Sequence, residues 1–293
     1  MNYLCVNIRG MGVEGKDEWV RGMKKKYDIS FVAMQETKTR DLDRLTIGRF
    51  WGNGDFEFDV SDPVGLSGGM VSVWDPTMFL KTSVQKNRQY LMISGRLKEN
   101  NVKVNIINVY GPQNNAQKRL LWQELRDKMR DHDGWWIFLG DFNTVRSPKE
   151  RKNTIFNVTS AMDLNSFIDE AGLVEYVMKG RKYTFLAGKG TGNKQSKIDR
   201  VLVCMDMFNK WPEACLRAFP RGLSDHCPLV LNMVNKKFGP KPFRWFNSWG
   251  IKEGCIDVVR KALGIHCGKS KADQILHYKL QNVRRDLRKW RDI

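Results

Sequence analysis

Eight polar side chains stand where their neighbours predict strand ends. Asn7 closes a run that begins at Tyr3, in Val6-Asn7-Ile8-Arg9-Gly10, and Glu36 closes the next, in Ala33-Met34-Gln35-Glu36-Thr37. Tyr110 ends a third, in Asn108-Val109-Tyr110-Gly111-Pro112. Asp141 and Asn143 follow Trp135–Leu139 in Gly140-Asp141-Phe142-Asn143, and Asp199 lies in Ser196-Lys197-Ile198-Asp199-Arg200. Asp225 and His226 precede the last run, in Leu223-Ser224-Asp225-His226-Cys227-Pro228. Strand ends in a sandwich converge on one rim, where loops carry chemistry. Carboxylates, an imidazole, a phenol and amides on one rim are the groups used in acid–base and metal-assisted catalysis. Each piece alone is commonplace, since a Gly-Asp pair is usually a turn and a Ser-Asp-His is more often a cap. Their order along the chain is what gives them weight.

The elements that must position these groups are readable from hydrophobic patterning. Apolar strand-like runs recur at Tyr3–Ile8, Ile29–Met34, Gly69–Trp74, Tyr90–Leu97, Val102–Val109, Trp135–Leu139, Ile198–Val203 and Leu229–Met233. Leu121, Trp122, Leu125 and Met129 fall at helical spacing, as do Leu164, Phe167, Ile168 and Ala171. For the second helix, Ser160 with Asp163 predicts a capping box and Gly172 a stop. Tyr90–Leu97 and Val102–Val109, joined by Glu99-Asn100-Asn101, read as a hairpin, so the sheets are mixed rather than purely parallel. The expected fold is an α/β (α+β) four-layer sandwich of two mixed sheets flanked by helices, over residues 1–235, followed by a basic helical extension over 236–293.

The 293 residues carry 50 Lys and Arg against 32 Asp and Glu, a net +18. That bias points to a polyanionic partner. No apolar run approaches the roughly 20 residues of a membrane helix, and the N-terminus lacks a basic region and cleavage site. A nuclear or cytoplasmic protein is expected, neither secreted nor membrane-bound, with no small organic cofactor. Cys5, Cys204, Cys215, Cys227, Cys255 and Cys267 form no CxxC pair, so reduced thiols are expected. Cys255, His266, Cys267 and His277 match no zinc spacing. From Lys236 onward, 15 Lys and Arg face five Asp and Glu. There Leu276, Leu280, Val283, Leu287 and Trp290 step by alternating fours and threes, the seam of a helix that docks on its own core or on one neighbouring helix, with a linker helix whose basic face tracks nucleic acid as the functional reading.

In their order the rim motifs resemble the endonuclease/exonuclease/phosphatase superfamily, whose members include deoxyribonuclease, AP endonucleases and inositol-polyphosphate phosphatases. Gln35-Glu36-Thr37, Gly140-Asp141-Phe142-Asn143 and Ser224-Asp225-His226 are the most specific pieces. Asn7-Ile8-Arg9-Gly10, Ser67-Gly68-Gly69, Asn108-Val109-Tyr110-Gly111-Pro112, Ser196–Val203 and Leu223–Pro228 look like the endonuclease domain of plant LINE-type (non-LTR) retrotransposon proteins. So does Pro242–Trp249, which in such proteins leads through a helical linker towards a reverse transcriptase.

The resemblance implies a Mg²⁺-dependent phosphodiesterase that nicks DNA, with Mn²⁺ a possible substitute. Glu36 would hold the ion, with Asn7 and Asp225 nearby. Asp141 would orient or deprotonate the attacking water, and Asn143 would position the phosphate and Asp141. His226, held by Asp199, would donate to a phosphoryl oxygen, as would Tyr110. AP endonucleases usually carry a carboxylate two residues after the first Asn. Here that position is Arg9, which favours the retrotransposon group. An AP endonuclease or another phosphoesterase is the second implied activity, and an inactive nucleic-acid-binding remnant the third. Duplex DNA would meet basic loops on both sides of the rim, Arg146, Lys149 and Arg151 on one and Lys182, Lys194, Lys197 and Arg200 on the other, and Arg9 reads either as a further phosphate contact or as a surface residue. Tyr183 and Phe185 read as strand core before base-stacking groups. Lys189-Gly190-Thr191-Gly192 lacks the Gly-Lys-Ser/Thr order of a P-loop.

Overall fold

Tyr3–Asn7, Phe31–Gln35 and Met70–Trp74 are buried at every position, as strands covered on both faces must be. A computed structural model of the chain describes all residues except 66, 189–191, 234–248, 251, 269 and 292–293. It divides into two compact units, Met1–Asn235 and Lys236–Ile293.

The first unit begins with β1 (Tyr3–Asn7), α1 (Lys16–Tyr27), β2 (Phe31–Gln35), α2 (Arg44–Trp51), β3 (Glu57–Ser61), β4 (Met70–Trp74), β5 (Phe79–Lys86) and β6 (Tyr90–Leu97). It continues with β7 (Lys103–Tyr110), α3 (Asn115–Asp131), β8 (Trp135–Asp141), β9 (Arg151–Lys152), α4 (Val158–Glu170), β10 (Leu173–Glu175) and β11 (Lys179–Gly180). The last elements are β12 (Phe185–Ala187), β13 (Lys194–Ser196), β14 (Asp199–Cys204), α5 (Met205–Lys210), β15 (Cys215–Ala218) and β16 (Leu229–Asn232). One sheet has the order β11-β15-β16-β1-β2-β4-β3, the other β10-β14-β8-β7-β6-β5, and β12-β13-β9 form a small third sheet. Parallel pairs such as β1 with β2 and β7 with β8 sit beside antiparallel ones, so both large sheets are mixed.

The period of two along each strand builds the layers. In β1, Tyr3 and Cys5 point between the sheets and join Phe31, Trp74, Ile93, Ile106, Ile137 and Val201. Leu4 and Val6 point the other way, onto Val20, Ile47, Phe50 and Trp51 of α1 and α2. On the far side Ile107, Phe138 and Leu202 meet Leu121, Trp122 and Leu125 of α3 and Leu164 and Phe167 of α4. The result is the expected four-layer sandwich.

The sheets are also pinned by a buried polar bridge. Asn108 on β7 accepts from Gln35 Nε2 at 2.6 Å and donates to the Val71 carbonyl at 3.1 Å and the Met34 carbonyl at 3.3 Å. Such groups must be satisfied internally, and here they tie the second sheet to β2 and β4 of the first.

Local details differ from the sequence reading. The cap of α4 is Asn157, whose side chain accepts from Ser160 N at 2.9 Å. Ser160 is therefore already inside the helix and buried, so the expected capping box is corrected. The helix α1 and the strands β3 and β5 carry little continuous apolar signal. In α1 only Lys16 and Val20 are buried, and β5 is an outer strand with a register shift between Lys81 and Ser83.

The second unit holds α6 (Cys255–Leu263) and α7 (Ala272–Arg291). Leu287 is buried, and Val283 and Trp290 pack with it around Cys255 and Trp249. Leu276 and Leu280, at 60% and 55% exposed, stay outside this contact, so only the C-terminal half of the expected seam is used against α6. The segment 242–248 and residues 189–191 of the Gly-rich loop lie outside the described residues. No described helix is long and apolar enough to cross a membrane, and all six cysteines are free.

Candidate active site at the strand ends

The adjacent parallel strands β1 and β2 bring Asn7 and Glu36 to one edge. Asn7 is fully buried. Its Nδ2 donates to Glu36 Oε1 at 3.0 Å and to Asp141 Oδ2 at 3.0 Å, while its Oδ1 accepts from Arg9 N at 3.1 Å. One amide thus links the two sheets at the rim. Tyr110, directly opposite Asp141 in the β7–β8 pairing, donates its hydroxyl to Glu36 Oε1 at 3.1 Å.

Asp199 is the cross-strand partner of Asp141 in β14 and β8. Two carboxylates placed opposite each other repel. His226 relieves this: its Nδ1 lies 3.0 Å from both Asp199 oxygens, and its Nε2 faces Asp141 Oδ2 at 3.9 Å. Thr184 Oγ1 accepts from Asp199 N at 3.0 Å, and the Phe185 ring lies 4.7 Å from the imidazole. Phe185 and Tyr183 are half-buried, and Phe185 forms an isolated bridge with His226, so it walls the imidazole. Ser224 Oγ donates to the Asn7 carbonyl at 2.7 Å and accepts from His226 N at 3.1 Å, which brings the 225–226 pair to β1.

The electrostatics follow from this packing. Burial opposes charge on His226, but Asp199 and then Asp141 outweigh it and lift the imidazole from its ordinary 6.5 to about 9. Burial first, then Asp199, pushes Asp141 up to about 7 against the pull of His226. Glu36 moves down: burial works against its charge, but donation from Asn7, Lys38 and Tyr110 prevails. At neutral pH the site therefore holds a protonated imidazole beside a carboxylate poised to take up a proton.

Backbone conformation concentrates here too. Arg9, Glu36, Lys38 and Asn143 all have φ between 48° and 56°, a region that side-chain-bearing residues seldom adopt. Gly140 is required just before Asp141, because a Cβ there would meet the Val109 carbonyl at 2.0 Å. Asn143 acts on Asp141 through its main chain, its N–H donating to Oδ1 at 2.9 Å. Its side chain is held by Gly111 O at 2.7 Å and Gln113 at 2.9 Å.

A hard cation takes oxygen ligands and needs few from protein. Glu36 and Asp225 offer carboxylate oxygens at this rim. Asp225 Oδ1 is buried without any partner, an orphan that a cation would satisfy. The other Asp225 oxygen is paired with Arg9, and Glu36 Oε2 with Lys38 at 3.1 Å. The donor set therefore suits a divalent ion, although two basic side chains now neutralise it. Among the described residues, the closest group of three metal-capable side chains is Asp141, Asp199 and His226. The Asp199 contact occupies His226 Nδ1, so hydrogen bonding already accounts for that group.

Two residues at the site escape sequence reasoning. Lys16 on α1 is buried and donates to the carbonyls of Ile8, Arg9 at 3.1 Å and Gly10 at 2.9 Å, fixing the loop after Asn7. Lys118 on α3 donates to the Asn143 carbonyl at 2.8 Å. No motif marks either one, because a lysine in a charged helix normally faces water.

The basic residues divide. Arg200 is a correction: its side chain is 0% exposed, pairing with Glu150 and, at 3.0 Å, with Glu175, so it cannot reach DNA. Lys197 at 2.7 Å and Arg146 at 3.2 Å join Glu175 in the same cluster. Arg151 reaches the Ile155 carbonyl at 2.7 Å, and Arg9 is held by Asp225. Lys149, Lys182 and Lys194 are exposed, and no ion pair to a carboxylate is found for them among the described residues.

Residues 20–226 match the Endonuclease/Exonuclease/phosphatase family, and the chain belongs to it. Membership places it among enzymes that hydrolyse phosphate ester bonds. The chain is 25% identical over 243 residues to the Transposon TX1 uncharacterized 149 kDa protein of Xenopus laevis, covering 80% of this chain but only 18% of that protein. Among solved structures it superposes on the endonuclease domain of TRAS1, a telomere-specific non-LTR retrotransposon, with TM-score 0.60 at 16% identity, covering 80% of this chain and 99% of that one. An AP endonuclease from Archaeoglobus fulgidus gives TM-score 0.60 at 16% identity, with 79% and 98% covered. A 3' phosphatase from Neisseria bound to a product DNA hairpin gives 0.61 at 18%, with 84% and 100% covered.

Proposed function

We propose that the chain is a divalent-cation-dependent endonuclease that nicks duplex DNA, of the kind carried by non-LTR retrotransposon proteins. The observation that carries this reading is the unbroken contact series Asp199–His226–Asp141–Asn7–Glu36 across both sheets. Asp141 accepts a proton from the attacking water, a role suited to a carboxyl pushed up to about 7. His226, protonated at neutral pH, donates Nε2–H to the phosphoryl oxygen where negative charge builds, and Asp199 holds its tautomer. Tyr110 can turn its hydroxyl from Glu36 to the same phosphate. Asn143 fixes Asp141 through its N–H. Glu36 and Asp225, with Asn7 beside them, would hold Mg²⁺ or Mn²⁺, which when bound would stabilise charge on the phosphate. Exposed Lys149, Lys182 and Lys194 would grip backbone phosphates beside the rim.

The TRAS1 and TX1 likenesses favour the retrotransposon class over repair, and Arg9 at the place where AP endonucleases usually carry a carboxylate points the same way. The test is nicking of supercoiled plasmid with Mg²⁺, with EDTA, and with Glu36→Gln and His226→Ala. Nicking that needs Mg²⁺ and falls about 10²–10⁴-fold in both variants is expected. Intact plasmid at high enzyme, with salt-dependent binding alone, would instead identify an inactive binding remnant. Preference for an abasic duplex over intact duplex would move the reading to AP endonuclease.

A further inference from the structure

Beside the rim, on the Tyr110 side, lies a cleft of about 380 Å³. Gly68, Gly69, Gln89, Tyr110, Gln113 and Gln117 line it, with Val64 and Pro112 as apolar surface. It is continuous with the site: Tyr110 reaches Glu36, and the Gly69 carbonyl accepts from Thr37 N at 3.1 Å, one residue past Glu36. A phosphate at the rim would have its neighbouring nucleotide over this cleft.

The lining chemistry differs from that of the basic loops. Its two charges, Arg88 and Asp62, are of opposite sign, so there is no cationic field for a phosphate. Three glutamines dominate instead. An amide presents a donor and an acceptor in one plane, matching the paired donor and acceptor edges of a base. The Gln89 and Gln117 side chains make no hydrogen bond to the described residues, and Gln113 uses only its Nε2, on Asn143. Gly68 adds no side chain to this wall, and a Cβ there would stand 3.8 Å from the Tyr110 ring, so a flat ring can come close to the main chain with Val64 beside it.

Resting on the nuclease reading, we propose that this cleft is a nucleobase subsite. It takes one unstacked base next to the scissile phosphate and reads its edge through Gln89 and Gln117. The size suits one base with its sugar and excludes a duplex, as pockets for single small ligands begin near roughly 300 Å³.

The test uses the full chain and a double variant, Gln89→Ala with Gln117→Ala, whose melting temperature should match the parent. Binding of a short fluorescent single-stranded oligonucleotide is measured in EDTA, with a base or an abasic residue at its centre. The parent should prefer the base-bearing strand by about tenfold, and the double variant by less than about twofold. On plasmid with Mg²⁺, nick sites are mapped. The parent should show a base preference flanking the nick that flattens in the variant. Equal base discrimination by parent and variant, or none in the parent, overturns the subsite even if nicking is robust. A parent that discriminates through these glutamines but never nicks overturns the nuclease reading and leaves the subsite standing.

Discussion

His226 Nδ1 lies 3.0 Å from both carboxylate oxygens of Asp199, although Asp199 opens β14 of one sheet and His226 precedes β16 of the other. The pair spans the two sheets at the rim. It sets the tautomer of the imidazole and directs Nε2 to Asp141. Asp199→Asn removes the charge and keeps the shape, so nicking should fall about 10²–10⁴-fold. The imidazole proton resonances should titrate at lower pH than in the parent, which a merely structural role for Asp199 would not produce.

The same pair predicts a pH window for stability. The folded-state value of His226 is raised from 6.5 to about 9, so protonation favours the folded form. The stabilisation is complete below the unfolded value near 6.5 and is lost as pH rises through about 9. Urea melts of metal-free parent and His226→Gln should therefore differ most at about pH 6 and converge by about pH 10. A gap that widens towards alkaline pH would contradict this sign.

Lys38 sits 3.1 Å from Glu36 Oε2, on the carboxylate offered to the cation. A positive side chain there competes with a divalent ion, in part screened because Lys38 is about one-third exposed. Lys38→Met should tighten Mn²⁺ binding by about two- to tenfold, read by electron paramagnetic resonance titration of free Mn²⁺. Unchanged affinity would mean that Lys38 swings clear at no cost.

Arg200 and the exposed lysines should separate cleanly in one pair of measurements. Arg200→Ala removes the fully buried cation that joins Glu150 and Glu175, and breaking such a cluster costs about 3–5 kcal/mol. Its effect should appear in urea melts. Lys182→Ala and Lys194→Ala should leave stability within about 0.5 kcal/mol. Each should lower the salt slope of DNA binding by about one. The reverse pattern would return Arg200 to the DNA interface.

Much of the scaffold is legible because β1, β2 and β8 are continuous apolar runs that end in polar residues, and that transition marks the rim. The hairpin Tyr90–Leu97 to Lys103–Tyr110 is equally plain, with Asn101 in left-handed conformation at its turn. Arg200 was misleading for a physical reason. It follows Asp199 in a basic stretch, while its acidic partners Glu175 and Glu150 lie 25 and 50 residues away. Lys16 is hidden similarly, since its partners are backbone carbonyls, which no residue type advertises. Asn108 belongs to a recognisable motif, but its bridge between the sheets appears only once both sheets are assembled.

That bridge has a mechanical consequence. Asn108 and Asn7 fasten the working centre to both β layers at once, so the chemistry resides on their seam. Slight parting of the layers would separate proton donor from proton acceptor while each ladder of strands stayed zipped. Heating should then extinguish nicking some degrees before far-ultraviolet ellipticity is lost, making activity a gauge of the gap between the leaves.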